Sequence, residues 1–483
     1  MASQFGGLKP THLWRRFEDI LKIPHGSGNE RAFGEYILGT AKDLGLEAKR
    51  DKVGNVLVRM PATPGHEKAE GVILQGHMDM VGEKNSDVVH DFAKDPIKAS
   101  IKGEWVQAEG TTLGADNGIG AAAGLAVMED KGLVHGPLEF LFTVDEETGL
   151  TGANKLAKGF LKGSMLLNLD SEEEGSFTIG CAGGADSVIT LALRRKKKAS
   201  ANLHRILISG LRGGHSGLDI QQGRGNAIKI LARMLGQVQK EVRFDLVQME
   251  GGNKRNAIPR EAWALISVSP GSIKALSESV KKAFEKIRFE YKTVETGVKY
   301  SLDKADGREF ALAAESQRNL LNLLAGLPHG VIATNQEIAG LVETSTNLAI
   351  IRCEKKQAQV VCNTRSSIAS ALQATREVLE AICAMAGAKI VLQDGYPGWT
   401  PNLKSPLLAK LLEVHRNVNG KEADVKAVHA GLECGIIGEK YPGMEMISFG
   451  PTIEHPHSPD ERVHIGSVEK FWAFLAAVLA ALG

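Results

Sequence analysis

Histidine and carboxylate residues recur in this chain just after apolar runs, and that placement suggests chemistry. The run 71–75 (GVILQ) leads into Gly76-His77-Met78-Asp79, 138–144 (LEFLFTV) into Asp145-Glu146-Glu147, and 165–169 (MLLNL) into Asp170. Asp116 sits in a Gly-rich loop, 110–118, before a small-residue segment. Alternate residues of an extended backbone face the same way, so His77 and Asp79 can share a side. A metal-bound imidazole usually gives its other N–H to a carboxylate, which Asp79 could supply. Taken singly, each residue has a blander reading: His77 a satisfied core or surface histidine, Asp116 a helix N-cap, Glu146 and Glu147 solvated loop acids, Asp170 a turn residue. Their coincidence weighs the other way, because each would be costly to bury without a cation.

One histidine with three or four carboxylates is a mixed N/O donor set, suited to catalytic zinc, manganese or cobalt rather than a structural Cys-rich zinc. More than three carboxylates exceeds what one zinc needs, so two divalent ions about 3.5–4 Å apart with a shared acid are expected. A second histidine is best sought in His455-Pro456-His457, after the strand and Gly-Pro turn of 447–451; on local sequence a Pro-rich surface loop serves equally well. In Gly213-Gly214-His215-Ser216-Gly217 the glycines let backbone approach a ligand and the imidazole could stabilise an oxyanion, although a simple turn also accounts for it.

The elements that must position these groups follow from periodicity. The near-continuous apolar runs suit central strands covered on both faces, the Ala-rich stretch 118–130 reads as a helix, and open α/β sheets put their sites at the carboxyl ends of such strands. From about 186 the texture changes. Strands at 187–193 and 204–209, a helix at 226–240, strands at 244–247 and 262–268 and a helix at 272–286 are followed by strands at 348–353 and 359–364, a helix at 372–386 and a strand at 389–393. Two such groups suggest an α+β insertion of two related halves. The expected architecture is α/β: a catalytic domain of 1–186 plus 394–483 and an inserted lid of 187–393.

Length fits this, since 483 residues at roughly 150 per domain favours two or three domains. Hydrophobic residues at 43% and charged residues at 24% exclude a disordered chain. With 58 Lys+Arg against 57 Asp+Glu the net charge is +1, which gives no reason to expect nucleic acid or an anionic membrane as partner. The basic run 194–198 reads as a solvated strand end or turn. Five cysteines without a Cys-x-x-Cys pair fit reduced thiols in the cytoplasm. Residues 1–10 lack the apolar core of a signal peptide, and the longest apolar run, 471–482, is too short to span a bilayer and reads as a buried helix.

The motifs QGHMDMV, TTLGADNGIGAA, DEETG, NLDSEEEG, GGHSG, HAGLECG and FGPTIEHPHSPDE together resemble the bacterial aminoacyl-histidine dipeptidases, or cytosol non-specific dipeptidases, within the wider clan of di-zinc aminoacylases, carboxypeptidases and dipeptidases. The resemblance covers essentially the whole chain. It implies a zinc-peptidase-like α/β/α domain with a lid of ferredoxin-like halves, and a homodimer acting on small dipeptides. It implies that His77 and Asp170 bind one metal, Glu147 and His457 the other, and Asp116 both, while Asp79 orients His77. Glu146 would be the general base, and in extended geometry would point away from Glu147 toward the attacking water. His215 would hold the substrate carbonyl oxygen, and Asn256, Arg365 and backbone at Gly431 the substrate carboxylate. A non-proline cis peptide is implied at Asp116–Asn117. Zinc is the expected metal, with cobalt or manganese as substitutes. N-acyl-amino-acid deacylation, tripeptide cleavage and a catalytically silent metal-dependent binding protein are the competing readings.

Overall fold

The computed structural model describes residues 4–197, 202–306 and 310–483. The chain divides into two compact units: Met1–Gly180 with Pro401–Ala427 and Leu432–Gly483, and Cys181–Thr400 with Val428–Gly431. The divisions fall at 180/181 and 400/401 rather than 186/187 and 393/394. The physical reason is that Gly183–Ala192 is one unbroken strand and Lys389–Tyr396 pairs with it as far as Gly184. Assignment of 428–431 to the second unit had no signal in the sequence.

The first unit is built on an eight-stranded sheet in the order Glu47–Arg50, Val56–Met60, Leu138–Thr143, Val72–His77, Met165–Asn168, Glu445–Ser448, Ser176–Cys181, Asp424–Val428. Val72–His77 runs parallel to Leu138–Thr143 and Met165–Asn168, and Met165–Asn168 parallel to Glu445–Ser448. Every residue of Val72–His77 and Leu138–Thr143 is buried, as their continuous apolar character requires. Register fixes the site edge. His77 pairs with Thr143 and Gln75 with Asn168, so Asp170 falls level with His77, and Asp145 lies two residues past Thr143.

The helix Ala115–Glu129 packs on this sheet and against Thr11–Leu21. Its small residues are demanded by contact: a Cβ on Gly118 would lie 3.1 Å from the Phe17 ring, and one on Gly120 only 2.4 Å from the Leu169 carbonyl oxygen. A four-stranded sheet, Ile453–Glu454, Arg462–His464, Trp105–Ala108 and Ala99–Lys102, places the turn 455–461 beside the chain leading to Asp116. The C-terminal helix Ile465–Leu482 is buried along one face only, where the sequence suggested a buried helix. Its length and apolar character would suit a membrane span, yet Phe471 packs on Phe449 and Phe474 stacks on Phe177 at ring-centroid distances of 5.8 and 5.3 Å.

The second unit carries two βαββαβ halves on one sheet. Leu203–Ser209, Ala227–Val238, Asp245–Gly251, Ala262–Ser267, Ile273–Glu290 and Lys299–Ala305 form one half, with strands ordered fourth, first, third, second. Gly183–Ala192, Ala314–Gly326, Val342–Cys353, Gln357–Ser366, Ala369–Ala386 and Lys389–Tyr396 form the other, into which the first is inserted. These are the ferredoxin-like halves expected, and the helices of both share one apolar core. The strand Lys299–Ala305 and the helix Ala314–Gly326 were not read from the sequence. In the basic run, Lys198 lies outside the described residues. Arg195 is no solvated strand end, because its guanidinium donates to the carbonyls of Val247, Glu354 and Lys355.

Gly120→Ala should destabilise the fold by about 1–3 kcal/mol through overpacking against Leu169. Gly236→Ala, in a helix where a Cβ meets nothing within 4 Å, should stabilise it by about 0.5–1 kcal/mol. Denaturant unfolding of both variants checks the pair.

Candidate metal centre

The first unit gathers the acids and histidines that the chain disperses. His77 ends its strand with 1% exposure, and its Nε2 lies 3.1 Å from Asp116 Oδ1 and 3.2 Å from Asp170 Oδ1. Asp116 Oδ2 lies 3.1 Å from His457 Nε2, which is 3.0 Å from Glu147 Oε2. Asp116 therefore turns one oxygen to each histidine. The peptide Asp116–Asn117 is cis. One donor atom each from His77, Asp116 and Asp170, and likewise from Asp116, Glu147 and His457, falls within 4.8 Å of the others, as it does for His77, Glu146 and Glu147.

The Asp145-Glu146-Glu147 segment departs from the expected extended geometry. Asp145, two residues past the strand, is left-handed (φ 53°), and Glu146–Gly149 forms one helical turn. The two glutamates thus diverge by helical rotation rather than by strand alternation. The free N–H groups of that turn are taken by Asp79, whose Oδ1 accepts from Glu146 at 2.9 Å and Oδ2 from Glu147 at 3.2 Å, with the Ser27 hydroxyl donating at 2.7 Å. His77 Nδ1 makes its hydrogen bond to the Asp79 main-chain oxygen at 3.0 Å, with the Asp79 carboxylate at 3.5 Å. Asp79 thus positions three residues where the sequence suggested one.

Electrostatics shows a pocket overloaded with negative charge. Hydrogen bonds to Asp116 and Glu147 push His457 up to about 11. Burial raises Asp170 to about 6, and burial with the charges of Asp116 and Asp170 raises Glu172 to about 8. Burial also raises Glu146 well above the ordinary carboxyl range, with Asp170, Glu433 and Glu147 adding to it against the pull of His77. Glu147 Oε1 is buried without a hydrogen-bond partner among the described residues. Divalent cations fit this donor set: two imidazole nitrogens, several carboxylate oxygens and an unpartnered oxygen, all within coordinating reach.

Three acids at this site were not singled out from the sequence. Glu172 falls in NLDSEEEG. Glu433, in HAGLECG, is 1% exposed and accepts from Gln75 and Thr143 at 2.7 and 2.6 Å, with burial raising it to about 7. Glu30 accepts from the Asp145 N–H at 3.0 Å. Their signal was an acid next to an apolar or glycine-containing stretch, which the sequence offers in many places.

The second unit brings together another set. The short pairing of Gly214–His215 with Ala257–Ile258 sets the Ser216 N–H on the Asn256 carbonyl at 2.8 Å, while the Asn256 side chain is exposed. His215 Nδ1 accepts from the N–H groups of Gly217 and Leu218 at 3.2 and 3.1 Å, which leaves the proton on Nε2. Burial and the Arg365 charge lower His215 to about 4, so the imidazole is neutral near pH 7. Arg365, 5% exposed, is fixed by the Tyr396 hydroxyl at 2.7 Å and the Ser216 hydroxyl at 3.4 Å. Gly431 approaches Tyr396 so closely that a Cβ would lie 2.7 Å from its ring. His429, not singled out from the sequence, joins this group: its Nε2 is 2.7 Å from Ser345 Oγ, and burial and Arg365 lower it to about 4.

Residues 73–481 match the profile of peptidase family M20/M25/M40. The chain is 43% identical over 478 residues to the cytosol non-specific dipeptidase of Escherichia coli, covering 99% of each. Its structure resembles that of the aminoacylhistidine dipeptidase of Vibrio alginolyticus with a TM-score of 0.92 and 42% identity, over 99% of this chain and 98% of that one. Aminopeptidase PepT of Bacillus cereus shares the fold at a TM-score of 0.57 and 17% identity, over 98% and 99% of the two chains.

An unfolded chain's histidines take up protons near pH 6.5, whereas His215 and His429 do so only near pH 4. Their contribution to stability is full above pH 6.5 and drains away as the pH falls from 6.5 to 4. His429→Gln should flatten the decline of melting temperature across that window, and an unchanged slope would refute the burial of a neutral imidazole there.

Proposed function

The chain belongs to peptidase family M20/M25/M40, and we propose that it is a metal-dependent dipeptidase of unblocked dipeptides, including Xaa-His substrates such as β-alanyl-histidine. The observation that carries this reading is Asp116, with one carboxylate oxygen 3.1 Å from His77 and the other 3.1 Å from His457. His77 and Asp170 would hold one divalent ion, Glu147 and His457 a second, and Asp116 both, with zinc as the metal and cobalt or manganese as functional substitutes. Cations bound there would supply Lewis acidity, polarising a carbonyl and bringing the pKa of water to about 7.

The chain's own groups do the rest. Glu146 takes the proton of the attacking water and delivers it to the leaving amine. The task suits a carboxylate whose backbone is fixed by Asp79 and whose side chain is not needed to complete either ligand set. His215, neutral and protonated on Nε2, donates to the carbonyl oxygen as charge develops on it. Arg365, held by Tyr396 and Ser216, pairs with the substrate's terminal carboxylate, aided by Asn256 and the Gly431 backbone. A cytosolic location accords with the five buried cysteine thiols and with the name of the Escherichia coli relative. A homodimer accords with the family resemblance, and sedimentation velocity checks it.

Glu146→Ala should lower kcat by about 10²–10⁴-fold while the protein still binds metal and dipeptide, measured by steady-state kinetics beside calorimetric titration. Equal turnover by the variant would remove Glu146 from the mechanism. A panel of Xaa-His dipeptides, tripeptides and N-acetyl amino acids, assayed after metal stripping and addition of defined cations, should show preferential cleavage of the dipeptides. Preference for the acetylated set would mean a deacylase instead.

A further inference from the structure

Glu461 lies four residues past His457, is 2% exposed, and has no part in the ligand set proposed above. Its carboxylate receives four consecutive backbone N–H groups from the loop that presents Asp116. Oε2 accepts from Leu113 at 2.8 Å and Gly114 at 3.0 Å, and Oε1 from Ala115 at 2.8 Å and Asp116 at 3.2 Å. Successive main-chain N–H groups that converge in this way form a nest for an anion, and here the anion is a side chain from the His457 segment.

Both joined segments have unusual backbones. Gly114 is left-handed (φ 73°), and a Cβ there would lie 2.8 Å from Met80 Sδ. His455 and His457 are left-handed as well (φ 55° and 60°), a conformation unfavourable for a residue that carries a Cβ, and the His457 side chain is half exposed. Glycine accepts the Gly114 conformation readily, whereas the His455–His457 turn does not hold its geometry by local preference and must be fixed by something outside itself.

We infer that Glu461 is a positioning residue which fixes the Asp116 backbone relative to His457, so that one carboxylate can serve two cations. This rests on the dimetal reading proposed above. A carboxylate is required because four donors need acceptor sites on both oxygens. Glutamine would supply one oxygen and turn an NH2 group against two N–H donors. Aspartate keeps both oxygens but stops one methylene short.

The test is calorimetric titration of metal-stripped full-length protein with Zn2+ alone, beside steady-state kinetics. The unmodified protein should take up two equivalents. Glu461→Gln, with its fold checked by circular dichroism, should bind the second equivalent about 10–100-fold more weakly, as loss of groups supporting metal ligands does elsewhere, and kcat should fall with KM little changed. Glu461→Asp should fall between the two, and Asp460→Asn, an exposed neighbour, should match the unmodified protein. Wild-type zinc affinity in Glu461→Gln, with only its melting temperature lowered, would overturn the inference by making the contact merely structural. If Glu461→Gln does not fold, Glu461→Asp decides, and wild-type affinity there overturns it. Uptake of fewer than two equivalents by the unmodified protein would overturn the dimetal reading itself and this inference with it.

Discussion

Asp116 faces two histidines at equal distance, and the surrounding structure reads as the means of keeping it there. At least four carboxylates and two imidazoles gather at the carboxyl ends of the parallel strands of a mixed sheet, where burial drives several of the acids toward their neutral forms. Concentrated negative charge of this kind is unfavourable in a low-dielectric interior unless positive charge offsets it. A fold that assembles it therefore has to supply both strong local scaffolding and a place for cations.

Much of the scaffolding comes from backbone N–H groups used as fixed partial charges. Asp79 holds the N–H groups of Glu146 and Glu147, Glu30 that of Asp145, and Glu461 those of the loop before Asp116. Each carboxylate reaches a segment distant in sequence, so the contact both stabilises a buried anion and locks two loops together. Among the described residues the non-glycine positions at positive φ are Asp145, Leu150, His455 and His457, all in the two loops that carry Glu146, Glu147 and His457. Conformations of that cost persist where surrounding contacts over-determine them.

The inserted unit follows a different logic. Its two ferredoxin-like halves bury a conventional apolar core, and its polar group of His215, Arg365, Tyr396 and His429 is ordered by hydrogen bonds to hydroxyls and backbone N–H groups around one cation, Arg365. The imidazoles there are kept unprotonated by burial beside Arg365. Such a group suits recognition of a carbonyl and a carboxylate.

The strands that end at His77, near Glu146 and near Asp170 were legible in the sequence, because a strand buried on both faces must be apolar along its length and the polar residue that follows it then stands out. The same held for the small-residue helix after Asp116, whose glycines meet Phe17 and the Leu169 carbonyl, and for most elements of the inserted halves. What tertiary structure alone decided was everything that depends on long-range registry. Asp145 turning left-handed gave Glu146 and Glu147 a helical rather than extended relation, Asp79 became the anchor of that turn, and 428–431 joined the second unit. Glu433 and Glu461 could not be told from solvated acids either. Periodicity reports which face of a segment is buried, whereas a carboxylate's partner is set by where another segment's N–H groups arrive, and no local pattern encodes that distance.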